Sequence, residues 1–235
     1  MPRPELRVIA VGGIAEVEAG ADVGAIVSEA AEAQGDRVEP GDVVVIAQKI
    51  VSKAEGRLVA AAGRDEVRAV VRTQARRVVR ETPSHLIVET THGFVCANAG
   101  VDSSNVAEGW VALLPRDPDA SARRIARTLS ERAGGEVAVI VSDTFGRPWR
   151  VGQTNVAIGS AAIAPLRDHR GETDPAGRVL TVTEIAQIDE LAAAAELVMG
   201  KIDRVPAAIV RGYPWEPGAG GAVDLVRPAS SDLFR

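Results

Sequence analysis

The run Asp42-Val43-Val44-Val45-Ile46-Ala47-Gln48 is apolar without interruption between two polar ends. A strand that faces water on one side alternates; one without alternation is buried on both faces. This stretch therefore predicts an interior strand, and with it a mixed α/β fold. Val137 to Val141 repeats the pattern, while Leu6 to Gly12 and Val205 to Val210 read as further strands. Gly12-Gly13 ends the first, and Pro206 stands near the start of the last, where a missing donor is tolerated.

Helical spacing appears between these strands. Residues 22–34 place Val23, Ile26, Val27 and Ala30 on one side, with Asp22 as N-cap. Residues 64–80 predict a helix with Val67, Val70, Val71, Ala75, Val78 and Val79 inward. Arg68, Arg72, Arg76 and Arg80 then line one face, either to greet an anion or simply as a solvated surface. Residues 119–133 and 183–199 predict two more helices, the first opened by Asp117-Pro118 and closed by Gly134-Gly135. Residues 84–90 and 93–98 read as a hairpin, and 151–165 as one or two buried strands. Residues 166–178 form a surface loop, a candidate mobile cover. His85 and His92 lack partners at zinc-ligand spacing and read as structural or surface residues.

Composition sets limits. At 235 residues the chain suits one large domain or two small lobes, here taken as a single 1–235 unit. Aromatics are only 3%, so Val, Ala, Ile and Leu must fill the core. A net charge of −5 gives no general attraction to nucleic acid or an anionic membrane. The single cysteine, Cys96, excludes an internal disulfide and fits a reducing compartment. Arg7 interrupts the early apolar run, so no signal peptide is expected. No apolar segment approaches the roughly 18 residues of a membrane span. The expected location is the cytoplasm.

Chemistry concentrates where apolar strands end. Gly93 to Ala97 reads as a buried strand leading into Asn98-Ala99-Gly100-Val101-Asp102-Ser103-Ser104-Asn105, with Asp102 and Asn105 as oxygen ligands. The plainer alternative is an Asx-turn bonded only to its own backbone. Val141-Ser142-Asp143-Thr144-Phe145-Gly146-Arg147 leaves another apolar strand and presents Asp143 beside a hydroxyl. Two strand-end loops with one carboxylate each suggest a shared cation site. After the first strand quoted comes Gln48-Lys49-Ile50-Val51-Ser52-Lys53-Ala54-Glu55-Gly56-Arg57, a strand-end segment dense in cations and hydroxyls, with a solvated loop as the plainer alternative. Lys53 there could meet a phosphate or make a surface pair with Glu55. Trp149, between Arg147 and Arg150, could stack on a flat ligand or pack against the protein.

No P-loop, no Gly-x-Gly-x-x-Gly opening a helix and no Gly-x-Ser-x-Gly elbow is present. Hard oxygens from Asp102, Asp143 and Thr144 suit magnesium or manganese, which bridge to substrate phosphates. That combination implies phosphoryl chemistry.

Val51 to Arg57, Asn98 to Asn105, Ser142 to Arg147, and Met199-Gly200 ahead of Val205-Pro206 closely resemble coenzyme F420-0:L-glutamate ligases, also called F420:gamma-glutamyl ligases. The likeness covers nearly the whole chain and is to the stand-alone form, without a fused nitroreductase-like domain. The resemblance implies an α/β fold in an intertwined homodimer. It implies GTP-driven formation of an acyl phosphate on F420-0, then attack by the amine of L-glutamate, with further gamma-linked additions. Two divalent cations, Mg2+ or Mn2+, and accessory K+ are expected. By position, Asp102 and Asp143 would hold one metal and Thr144 the second. Lys53, Asn105, the Ile14-Ala15-Glu16-Val17 turn and Gln48-Lys49 would contact GTP. The segment Met199-Gly200-Lys201 to Pro206 would close over it, with Asp203 its only carboxylate for the second metal. A non-catalytic F420- or nucleotide-binding protein and a metal-dependent phosphohydrolase are the alternatives.

Overall fold

The computed structural model describes residues 5–232. Residues 1–4 and 233–235 of the expected 1–235 unit lie outside them. In chain order the elements begin with β1 (Arg7–Val11), α1 (Val23–Ala33), β2 (Val43–Ala47), α2 (Gln48–Ala54), β3 (Leu58–Ala60) and α3 (Gly63–Thr73). Next come β4 (Ala75–Glu81), β5 (Leu86–Thr90), β6 (Val95–Ala97), β7 (Trp110–Ala112), α4 (Pro118–Ala133) and β8 (Ala138–Arg147). The rest are β9 (Arg150–Ala161), β10 (Arg167–Asp168), β11 (Glu184–Ile185), α5 (Gln187–Met199) and β12 (Ala207–Arg211).

The mixed α/β expectation holds. A five-stranded sheet, ordered β1-β12-β2-β8-β9, forms the centre. β2 and β8 pair in parallel, from Val43 opposite Ala138 to Ala47 opposite Ser142; the other neighbours are antiparallel. β2 is buried on both faces. Val44 and Ile46 pack with Val27 of α1 and Ile125 and Leu129 of α4. Val43 and Val45 join Ile188, Leu191 and Ala195 of α5 on the other face. Ile46 and Leu129 are fully buried, so truncating either to Ala should cost ~2–5 kcal/mol.

The caps explain the helix ends. Asp22 accepts a 3.0 Å bond from the Ala25 amide, and Asp117 accepts from Ala120. Gly134 ends α4 with φ +75, a left-handed conformation that costs glycine little.

Five expectations are corrected. First, the helix read over 64–80 stops at Thr73, and Ala75–Glu81 is strand β4, paired antiparallel with β5. The arginine spacing happened to run across the junction. Arg68 and Arg72 pair with Glu81, and Arg76 and Arg77 with Glu89, so the side chains tie strand to helix and strand to strand. Val78 and Val79 are exposed, not inward. Second, residues 48–54, a strand-end segment or solvated loop by sequence, are helix α2. Third, Asp143 lies within β8, because β9 keeps pairing beyond it: Asp143 faces Val156 and Thr144 faces Asn155. Fourth, the strand expected over Gly93–Ala97 is β6 alone, with Val95 exposed and Cys96 buried. Fifth, 151–165 holds one long strand whose first half is exposed; Val151 is 96% accessible.

Smaller adjustments follow. α5 begins only at Gln187, because Glu184–Ile185 pairs with Arg167–Asp168 and ties the base of the 166–178 loop. Pro206 precedes β12, and its carbonyl accepts from the Ala47 amide at 2.8 Å. His85 is exposed beside Ser84, and His92 lies 2.9 Å from the Pro115 carbonyl, in keeping with structural roles. Among the described residues, no helix is long and apolar enough to cross a membrane.

Candidate active site

Because β2 and β8 run parallel, their carboxyl ends meet one edge of the sheet. A cavity of about 570 Å³ opens there. β2 passes directly into α2, which supplies Gln48, Lys49 and Lys53 to its wall. β8 supplies Asp143 and Thr144. The loop after β6 supplies Asp102 and Asn105, and the segment after β1 supplies Ile14, Ala15, Glu16 and Val17. The α5–β12 turn adds Met199, Gly200 and Lys201. Of the residues expected to hold nucleotide or metal, Asp203 alone does not line this cavity; its carboxylate folds back against Gly200.

The Asp102 loop is rigidly fixed. Asn98, Ala99 and Gly100 have successive positive φ values of 52, 55 and 68. Such a turn is strained and persists only where the surroundings fix it. The Asn98 amide oxygen accepts from the Leu86 amide at 3.0 Å, and a Cβ on Gly100 would stand 2.7 Å from Leu114. Asp102 itself exchanges backbone bonds with Ala112.

The charges are arranged in pairs. Lys53 is buried and bonded to Glu16, not to Glu55, which takes Arg124 at 2.6 Å instead. Lys49 Nζ lies 2.8 Å from Asp102 Oδ2 and also reaches Ser104. The Ser104 amide and hydroxyl donate to Asp102 at 2.7 and 2.9 Å. So the Asx-turn exists, with a lysine added. Burial opposes ionisation of Asp102, but the hydrogen bonds from Lys49 and Ser104 outweigh it and hold the carboxyl below its usual value. Asp143 differs. Withdrawal from water pushes its carboxyl up to about 7, and the nearby Asp102 charge adds to this against the Thr144 amide and two lysines. A one-residue slip in the β8–β9 ladder, between Val141 and Ser142, immediately precedes it. Such bulges re-aim side chains.

Two polar lining residues, Asn155 and Glu196, escaped the sequence reading, and Ser142 was quoted there without a role. Lys201 Nζ donates to Thr144 Oγ1 at 2.9 Å, Thr144 donates to Asn155 Oδ1 at 2.7 Å, and Asn155 Nδ2 donates to Glu196 Oε2 at 2.8 Å. Burial raises the Glu196 carboxyl, against Lys201 and Asn155. A polar Asn155 inside an otherwise buried run was the available signal. Trp149 is 80% exposed at the β8–β9 turn and does not line the cavity.

Among the described residues, no three His, Cys, Asp or Glu side chains group to hold a metal ion. The donors present are hard oxygens, and Asp143 receives no side-chain hydrogen bond among the described residues. That fits a cation such as magnesium, which takes one or two carboxylates and completes its shell with water and phosphate. The lysines suit anionic oxygens.

The fold and cleft thus define a mixed α/β protein whose cavity sets lysine ammonium groups beside carboxylates and a hydroxyl. The chain belongs to the F420-0:gamma-glutamyl ligase family, whose profile matches residues 13–212. It is 44% identical to the coenzyme F420:L-glutamate ligase of Methanothermobacter thermautotrophicus, over 98% of this chain and 99% of that one. The protein of the same name from Methanopyrus kandleri is 42% identical, over 99% and 98%. That from Methanocaldococcus jannaschii is 41% identical, over 84% and 86%.

Proposed function

We propose that the chain joins L-glutamate to coenzyme F420-0 at the expense of GTP. The observation that carries this reading is the convergence of Lys53, Lys49, Asp102 and Asp143 on one cavity in a member of this family. A carboxylate oxygen of F420-0 attacks the γ-phosphorus of GTP, and GDP leaves. The glutamate amine then attacks the acyl carbon, loses a proton, and phosphate leaves. Further glutamates add through gamma linkages.

The residues divide the work by their chemistry. Lys53 exchanges Glu16 for a nucleotide phosphate, held in place by its burial at the end of α2. Asn105, Gln48, Lys49 and the Ile14–Val17 segment frame the nucleotide, and the Met199–Pro206 turn closes one side. One Mg2+ or Mn2+ fits Asp102 and Asp143; when bound it neutralises phosphate charge. A second ion at Thr144 does not fit, since that hydroxyl already accepts the Lys201 ammonium. No described residue is assigned to K+. A homodimer is part of the proposal: Trp149 at 80% and Val151 at 96% exposure leave apolar surface for a partner. Light scattering at low micromolar concentration checks it, a monomer mass being the contrary result.

The deciding experiment incubates the protein with F420-0, GTP and L-glutamate and follows products by mass spectrometry. Glutamylated F420, with GTP consumed only when both other substrates are present, is expected. GTP hydrolysis without them would mark a phosphohydrolase, and no turnover a binding protein.

A further inference from the structure

We propose that the Lys201 ammonium group takes the place of a second divalent cation at Thr144, so that the loaded cavity holds one metal ion per chain. The inference rests on the reading of the cavity as a metal–nucleotide site. Thr144 Oγ1 gives its proton to Asn155 Oδ1 at 2.7 Å and accepts from Lys201 Nζ at 2.9 Å. Asn155 in turn gives an amide proton to Glu196 Oε2 at 2.8 Å. The Thr144 hydroxyl is therefore bonded on both sides, to Asn155 and to the Lys201 ammonium.

The backbone explains why a lysine, not a carboxylate, arrives there. Gly200 ends α5 at φ 61 and ψ 174, a region open essentially to glycine alone. The turn it makes brings Asp203 Oδ2 within 2.0 Å of where a Gly200 Cβ would stand. Asp203 is thereby held against the backbone outside the cavity, while Lys201 lines it. A divalent ion at Thr144 would stand within a few ångströms of the ammonium, where like charges repel. The ammonium, with three donors, can meet anionic substrate oxygens directly and supplies charge without coordination.

The test is a Mn2+ titration followed by electron paramagnetic resonance, with the β,γ-imido analogue of GTP present. The parent and Lys201→Arg should each bind one Mn2+ per chain. Lys201→Glu, which reverses the charge on an exposed turn, should bind two. Two Mn2+ of similar affinity in the parent, or one in Lys201→Glu, would overturn the lysine assignment and leave the metal–nucleotide reading standing. No bound Mn2+ in the parent would overturn both.

Discussion

The loop that carries Asp102 and the strand that carries Asp143 bring the same carboxyl group to one cavity by opposite means. The loop surrounds its carboxylate with a lysine, an amide and a hydroxyl, and so keeps it ionised. The strand holds its carboxyl in a wall that withdraws it from water, and burial drives it up to about 7. An acid answered by the protein's own donors is ionised before any ion arrives. An acid left short of donors at a cavity is poised for a charge that arrives from outside.

The largest expected effect tests whether both acids serve one ion. Asp143→Asn and Asp102→Asn should each lower ligation by about 100-fold or more, since metal stabilisation of a transition state is worth several kcal/mol. The double variant should be little worse than either, because residues acting as a unit are not additive. Losses that multiply would separate the two acids. Next in size, Lys53→Ala should weaken GTP binding by ~1–3 kcal/mol, the scale of a charge-assisted hydrogen bond. Unchanged affinity by calorimetry would remove Lys53 from the nucleotide site.

A third prediction concerns metal-free stability, where the two acids should pull in opposite directions. Asp143 is raised above its unfolded value of about 3.9. Its contribution is full below that value and is lost as pH rises toward 7. Asp143→Asn with chelator present should therefore be as stable as the parent or more so at pH 7. Asp102 is lowered, so it contributes above its unfolded value and loses that contribution as pH falls. Asp102→Asn should lose stability at pH 7. Urea midpoints at acid and neutral pH read both signs, and equal shifts would erase the contrast. The smallest effect is on Cys96. Burial, with Asp143 nearby, pushes its thiol up to about 12. A disulfide reagent at pH 8 should leave it unmodified in the folded protein and react fully once urea unfolds the chain.

β2 and β8 were legible because a doubly buried strand has no polar interruptions to confuse the period. The α4 boundaries were legible from Asp117, Pro118 and Gly134. Residues 75–81 were not. Arginine recurs every fourth place there, and its spacing carries no information about the partner strand that decides the conformation. The same holds for Asp143: the apolar run ended at Val141, but the strand did not, because β9 continued to pair with it. The loop with Asp102 and the segment with Lys53 stood out by residue type alone, and the structure brings both to one cavity. Glu196 was invisible within an alanine-rich helix, since only tertiary packing turns it toward Asn155.

β2 ends at Ala47 and α2 begins at Gln48, with no residue between them. The core and the lysines are thus one continuous rod. A residue inserted at this joint would rotate Lys49 and Lys53 by about 100° around the helix axis. One inserted within β2 would exchange the two faces of the sheet as well. The joint has no slack, so a change of length there that leaves composition untouched should silence the site more completely than many changes of composition that preserve length.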